Sequence, residues 1–155
     1  VTGVQTCALP ICFNFRMTDI HAAIGLAQLK KIDQFNQARV ANAQYLSANL
    51  RGVCPPLVPP GYRHVFHQYT LQVLNGKRDE LREHLAACSV PAMVYYPVPL
   101  HLQKAFSDPQ YKAGDFPVTE KLCSSVISLP IHTEMDEETL RFITGCVSDF
   151  FNKKN

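Results

Sequence analysis

Cys12-Phe13-Asn14-Phe15-Arg16-Met17-Thr18-Asp19-Ile20-His21-Ala22-Ala23-Ile24-Gly25-Leu26-Ala27-Gln28-Leu29 is the stretch that decides how this chain folds. A polar Asn14 and a cationic Arg16 stand between aromatics, two residues apart, so an extended backbone points both side chains the same way and into one pocket. An arginine suits a carboxylate or phosphate, and an asparagine amide can donate to a phosphate oxygen. Thr18 or Asp19 then offers an N-cap. From Ile20 the chain runs to Leu50 without proline and with Gly25 as its single glycine, which predicts one long helix. Its later part is amphipathic, with Leu26, Leu29, Ile32, Phe35, Val40, Ala43, Leu46 and Leu50 stepping mostly by three or four. Its first turns, Ile20 to Ala27, are apolar or small nearly all round, a pattern that suits burial on several sides at a domain or subunit junction.

Toward the amino terminus, residues 1–11 show neither helical nor strand periodicity and stop abruptly before Cys12. One possible encoding of Val-Thr-Gly-Val-Gln-Thr-Cys-Ala-Leu-Pro-Ile resembles a common sequencing adapter. Residues 1–11 are therefore read as foreign and residues 12–155 as the domain, with the natural frame expected to begin upstream.

Toward the carboxy terminus, Gly52 ends the helix and the proline-rich run from Cys54 to Gly61 is an extended connector. Val65 to Leu74 alternates with β-branched and aromatic residues and reads as a strand, turned by Asn75-Gly76. Lys77 to Ala87 is a short charged helix with Leu81 and Leu85 facing the core, and Pro91 to Tyr95 a second strand. Pro117 opens a helix to about Ser124, Val126 to Leu129 is a short strand, and Asp136 caps a last helix to about Phe151. Leu140, Ile143, Val147 and Phe150 or Phe151 line that helix's inner face. The order predicts an α+β domain: a long first helix and a small, mostly antiparallel sheet with flanking helices.

The 155 residues are 46% hydrophobic and 18% charged, the composition of a globular domain with one core. The net charge of +2 is scattered, with no basic run beyond pairs, which argues against a nucleic-acid partner. No stretch approaches a membrane span, and no signal peptide is recognisable. The six cysteines are widely spaced without a CxxC pair, which fits a reducing cytoplasm.

No metal or nucleotide motif stands out. His64 and His67, three apart on a strand, would face opposite sides, and GxGxxG, P-loop, HExxH and G-x-S-x-G are all missing. Covalent chemistry through a lysine needs a partly desolvated amine, and Lys30, Lys31, Lys77, Lys104 and Lys112 lie on charged helix faces, in turns or in loops. No catalytic residue is assigned. The remaining candidate is Tyr95-Tyr96-Pro97-Val98-Pro99-Leu100-His101-Leu102-Gln103, a stiff loop whose rings can pack against a sugar or base. Packing alone offers an alternative for each residue: Tyr95 and Tyr96 at a strand end, Arg16 paired with Asp19, His101 capping a short helix.

At these residues the chain resembles the DegT/DnrJ/StrS family of sugar aminotransferases, which use pyridoxal 5'-phosphate. The family's second half carries an aromatic-Asn-aromatic-Arg motif followed by AAIGLAQL, as here from Phe13. The resemblance runs to about Phe151 and includes His64-Val65-Phe66-His67-Gln68-Tyr69, the Tyr96-Pro97-Val98-Pro99-Leu100-His101 loop, Gly114-Asp115-Phe116-Pro117-Val118 with Glu120, and Leu129-Pro130. It implies that residues 12–155 are the small carboxy-terminal domain of a fold-type I enzyme whose larger domain holds the cofactor lysine. It further implies a homodimer with shared active sites, a nucleotide-sugar substrate and an amino-acid donor, commonly glutamate. Asn14 matches the residue that reaches the cofactor phosphate of the neighbouring subunit, Arg16 one beside the substrate's sugar, and the loop from Tyr95 and Tyr96 to His101 a wall of the sugar pocket. The loop type is similar to that of enzymes aminating a 3-keto acetamido-uronate for surface polysaccharides. Cys12 replaces the usual glycine, and many relatives have histidine where Tyr95 stands. A sugar dehydratase of the same family and a non-catalytic dimerisation module are the alternatives.

Overall fold

The computed structural model describes residues 17–152. The chain divides into two units, Val1–Asp33 and Gln34–Asn155. In the first, α1 (Asp19–Leu29) starts at Thr18, whose hydroxyl accepts from the His21 backbone N–H at 3.3 Å. None of its residues is buried, and Ile20, Ile24, Leu26 and Leu29 are all exposed. The apolar turns expected to be covered are therefore open on this chain.

The long helix from Ile20 to Leu50 is in fact two. A break at Lys30-Lys31 separates α1 from α2 (Ile32–Asn49). Neither proline nor glycine causes it. The Lys31 N–H bonds three residues back to the Gln28 carbonyl at 3.0 Å, the tight 3₁₀ closure of a helix end. The charges agree with two termini: Lys30 and Lys31 sit at the negative end of α1, and Asp33 lies in the first turn of α2.

The second unit is built on a two-stranded antiparallel sheet. β1 (Tyr69–Gln72) pairs with β2 (Val126–Leu129), Tyr69 opposite Leu129 and Gln72 opposite Val126. Single bridges from Cys54 to Gln72 and from Met93 to Ser128 widen it by one line on each side. α3 (Arg78–Ala87), α4 (Pro117–Ser125) and α5 (Glu137–Asn152) complete the order. The core gathers Leu46 of α2, Tyr69 and Leu71 of β1, Leu81 and Leu85 of α3, Ile127 of β2 and Val147 of α5, each almost wholly buried. Each such aliphatic side chain contributes roughly 1.5–3 kcal/mol. α5 buries Leu140, Ile143, Val147 and Phe150 as its spacing predicts, and Asp136 Oδ1 caps it by accepting from the Thr139 N–H at 2.8 Å. The Thr139 hydroxyl first, and then that backbone bond, hold the Asp136 carboxyl below its ordinary pKa.

Two of the three predicted strands are shorter than their propensity suggests, while Val126–Leu129 forms as predicted. Before β1, Phe66 takes a left-handed backbone (φ 47) and its N–H donates to His64 Nδ1 at 2.8 Å, which turns the chain out of extended geometry over residues 64–68. His64 and His67 are thus not on a strand. Pro91 to Tyr95 contributes only the bridge at Met93, because Pro91 and the nearby Pro97 have no N–H to extend a ladder.

Polar groups inside this unit are tied down. The Tyr69 hydroxyl and Ser47 Oγ hydrogen-bond at 2.9 Å, and burial, only partly offset by that bond, raises the tyrosine's pKa. Asn42 Nδ2 donates to the His132 carbonyl at 2.8 Å. Buried Arg78 donates from Nη1 to the Cys123 and Val126 carbonyls at the end of α4, while its Nε lies 2.8 Å from Asp79 Oδ1 as an ion pair without hydrogen-bond geometry.

Three glycines should separate backbone from steric cost. Gly52 has φ +77, and an added Cβ would lie 2.5 Å from the Phe151 ring; Gly76 has φ +69 in open space; Gly145, inside α5, has neither constraint. Gly76→Ala is expected to cost about 1–2 kcal/mol, the left-handed penalty alone. Gly52→Ala should cost more than Gly76→Ala, and Gly145→Ala should stabilise by about 0.5–1 kcal/mol. Urea unfolding of the three variants measures this, and equal losses at 52 and 76 would show that Phe151 yields.

Candidate functional site

The strand pairing assembles one cleft from three separate segments. His67 and Gln68 lead into β1, Met93 bridges to β2 with Tyr95 two residues on, and Pro130 and Ile131 leave β2. Together they line a cavity of about 290 Å³. Tyr95 and Tyr96 are both exposed, joined by a cis peptide, with rings edge-on at a centroid distance of 6.2 Å. Tyr95 lines the cleft together with His67 and Gln68; Tyr96 is not among its walls.

His101 points elsewhere. Its side chain is only 8% exposed, and its Nε2 lies 3.1 Å from Glu120 Oε1. The same oxygen accepts from the Gly114 N–H at 2.8 Å and the Phe116 N–H at 3.4 Å. A carboxylate oxygen only accepts, so His101 Nε2 carries the hydrogen. The Gly114 bond, more than the His101 bond, holds the Glu120 carboxyl below its ordinary value. The Phe116 ring stands 4.8 Å from the His101 ring and 5.5 Å from that of Tyr111. His101 thus clamps its short 3₁₀ turn (Leu100–Leu102) to the start of α4. The loop is stiffened further by the Gln103 amide, which donates to the Val98 carbonyl at 2.9 Å.

A wider cleft of about 820 Å³ lies between α2 and residues 56–66, walled by Val40, Ala41, Gln44 and Ser47 on one side and Pro56, Tyr62, Arg63 and His64 on the other. Asn14 and Arg16, the two remaining candidates, lie outside the described residues. Of the others, the structure brings Tyr95 into a cleft, leaves Tyr96 exposed beside it, and turns His101 inward. Sequence reasoning did not single out His67 and Gln68 as cleft walls. Their signal was the His64-Val65-Phe66-His67-Gln68-Tyr69 block, read as a regular strand. Among the described residues no cluster of His, Cys, Asp and Glu is placed to hold a metal ion, and no helix is long and apolar enough to cross a membrane.

With this geometry in hand, comparison with known proteins is informative. Residues 2–148 match the family model of the DegT/DnrJ/EryC1/StrS aminotransferases. The chain is 34% identical over 144 residues to the pleiotropic regulatory protein of Geobacillus stearothermophilus, covering 90% of this chain and 38% of that one. It is 34% identical over 137 residues to the UDP-N-acetyl-3-dehydro-alpha-D-glucosamine 3-aminotransferase of Acidithiobacillus ferrooxidans, covering 87% of this chain and 36% of that one. Among solved structures it superposes on a DegT DnrJ EryC1 StrS aminotransferase from Brucella abortus with a TM-score of 0.81 and 33% identity, over 96% of this chain and 39% of that one. The chain thus spans well under half the length of these relatives.

The Glu120 clamp makes a pH-dependent prediction. Because its folded pKa lies below the ordinary 4.5, Glu120 contributes stability that is fully present above that value and lost as pH falls through the lowered one. Glu120→Gln is expected to lower the thermal midpoint at pH 7 and to speed amide exchange at Gly114 and Phe116. The difference from the parent chain should shrink on acidification below about pH 4.5. A difference that persists unchanged there would mean that the carboxylate charge is not what holds the loop.

Proposed function

The chain belongs to the DegT/DnrJ/EryC1/StrS aminotransferase family, and from that premise we propose that it is the sugar-facing carboxy-terminal domain of an enzyme that aminates a nucleotide-linked keto sugar. The observation that carries this reading is the cleft that Tyr95 lines together with His67 and Gln68. An aromatic face packs against the apolar side of a sugar ring, and the polar groups beside it bond hydroxyls and fix orientation.

Pyridoxal 5'-phosphate would supply the carbanion-stabilising chemistry of amino transfer when bound. Its covalent anchor must be a lysine whose amine is partly desolvated. Among the described residues Lys30, Lys31, Lys104, Lys112 and Lys121 are exposed, and Lys77 is half-buried in the turn before α3. None offers that setting, so no covalent role falls to them. What remains for this chain is binding and orientation. Asn14 would donate to the cofactor phosphate of a second subunit, and Arg16 would meet a carboxylate on the sugar. A substrate of the 3-keto acetamido-uronate kind and glutamate as donor complete the proposal. The anchoring lysine would then lie in a larger domain, which would also cover the apolar residues exposed on α1.

The test is to recover the coding sequence upstream of the Phe13 codon, express the completed protein, and assay it with glutamate and nucleotide-linked keto sugars. Amino transfer to a 3-keto uronate is expected. Arg16→Gln should raise KM for the uronate about 10- to 100-fold while leaving a neutral 3-keto sugar nearly unchanged. Conversion to a deoxygenated sugar without nitrogen transfer would overturn the aminotransferase reading. For residues 12–155 alone, the exposed Ile20, Ile24, Leu26 and Leu29 should drive self-association at high concentration. Sedimentation should show association that Ile20→Lys and Ile24→Glu together reduce, and a stable monomer of the parent sequence would contradict it.

A further inference from the structure

Away from the cleft, α3 and α5 bring two thiols and an imidazole together. Cys88 caps the end of α3, and Cys146 lies on the buried face of α5. The two thiols are electrostatic neighbours, and both cysteines touch one imidazole. His84, one turn before Cys88, has its Nε2 3.0 Å from the Cys146 carbonyl oxygen and 3.7 Å from Cys88 Sγ. The Phe150 ring, 5.5 Å from the imidazole, closes another side. We propose that Cys88 and Cys146 form a reversible redox pair, oxidised by hydrogen peroxide to a disulfide that staples α3 to α5.

The roles of the two sulfurs follow from their surroundings. A carbonyl oxygen can only accept, so His84 Nε2 carries a hydrogen, and it presents that N–H to Cys88 Sγ as well. That contact fixes the orientation of the Cys88 sulfur beside the imidazole. Cys88 is also the half-exposed member of the pair, whereas Cys146 is buried. Desolvation, with the neighbouring Cys88 sulfur next, pushes the Cys146 thiol up to about 11, so it remains protonated at neutral pH. Cys88 is thus the attacking sulfur and Cys146 the resolving one.

The chemistry balances with peroxide as the oxidant. The Cys88 thiolate attacks one peroxide oxygen; an S–O bond forms, the O–O bond breaks, and hydroxide leaves and is protonated to water. The sulfur, oxidised by two electrons, is now a sulfenic acid. Cys146 Sγ then attacks it; the S–S bond forms, the S–O bond breaks, and the hydroxide leaves as water with the Cys146 proton. Two thiols and one peroxide give one disulfide and two waters, and a dithiol reductant reverses the change.

The experiment is a peptide map of the native 155-residue chain treated with one equivalent of peroxide and quenched with N-ethylmaleimide. Trypsin releases Cys88 in residues 83–104 and Cys146 in residues 142–153. The expected result is a cross-linked pair of these peptides, two hydrogens lighter than their sum and separated by dithiothreitol, with exposed Cys54 recovered as its maleimide adduct. In Cys146→Ser, dimedone should trap the sulfenic acid on Cys88. Recovery of both Cys88 and Cys146 as maleimide adducts would overturn the proposal. So would a cross-link that appears only in urea-unfolded chain, since native packing would then not be what joins the two sulfurs.

Discussion

Everything that positions the candidate site rests on the four-residue pairing of β1 with β2. Their partners are far apart in sequence, Tyr69 meeting Leu129, and the segments that leave the two strands become the walls of the cleft. The register is held on both faces. Tyr69 and Leu71 point into the core, and on the other face Thr70 Oγ1 bonds Ser128 Oγ at 2.8 Å. Slipping the pairing by one residue would carry the tyrosine and leucine to the opposite face and strand the buried hydroxyl that Ser47 satisfies. The site geometry is therefore specified by core packing rather than by the loops that display it.

Buried polar atoms extend that specification to the helices. Asn42 ties α2 to the chain after β2, and Arg78 ties the first turn of α3 to the carbonyls that end α4. An unpaired buried polar group costs about 1–3 kcal/mol, more when charged, so each of these bonds penalises alternative packings more than it favours the observed one. That asymmetry suits a domain with little sheet, where the apolar contacts of α2, α3 and α5 could otherwise be made in several arrangements.

The α+β class and the four carboxy-terminal elements were legible because local signals there agree with the tertiary outcome. Pro117 opens α4, Asp136 caps α5, and the spacing of Leu140, Ile143, Val147 and Phe150 matches the buried face. What was not legible has identifiable causes. The break at Lys30-Lys31 carries no proline or glycine and shows itself only as a 3₁₀ closure between backbone atoms. The shortened first strand turns on Phe66 adopting a positive φ, held by its neighbour His64, and β propensity at that position points the other way. Of the candidate site, the aromatic loop was visible as composition, but its division of labour was not, since which ring turns inward depends on Glu120, nineteen residues beyond His101.

That division has a physical logic. Tyr95 and His101 belong to one loop, yet one ring lines an open cleft while the other is almost covered. The inward histidine, the Glu120 oxygen that also holds Gly114 and Phe116, and prolines at 97 and 99 remove conformational freedom before any ligand arrives. A floppy loop carrying two exposed tyrosines would have to order on binding, at roughly 0.5–1.5 kcal/mol per immobilised side chain. Turning His101 into the scaffold therefore holds in place the loop that carries the exposed rings, and the residue that stiffens the loop is not one that the loop displays.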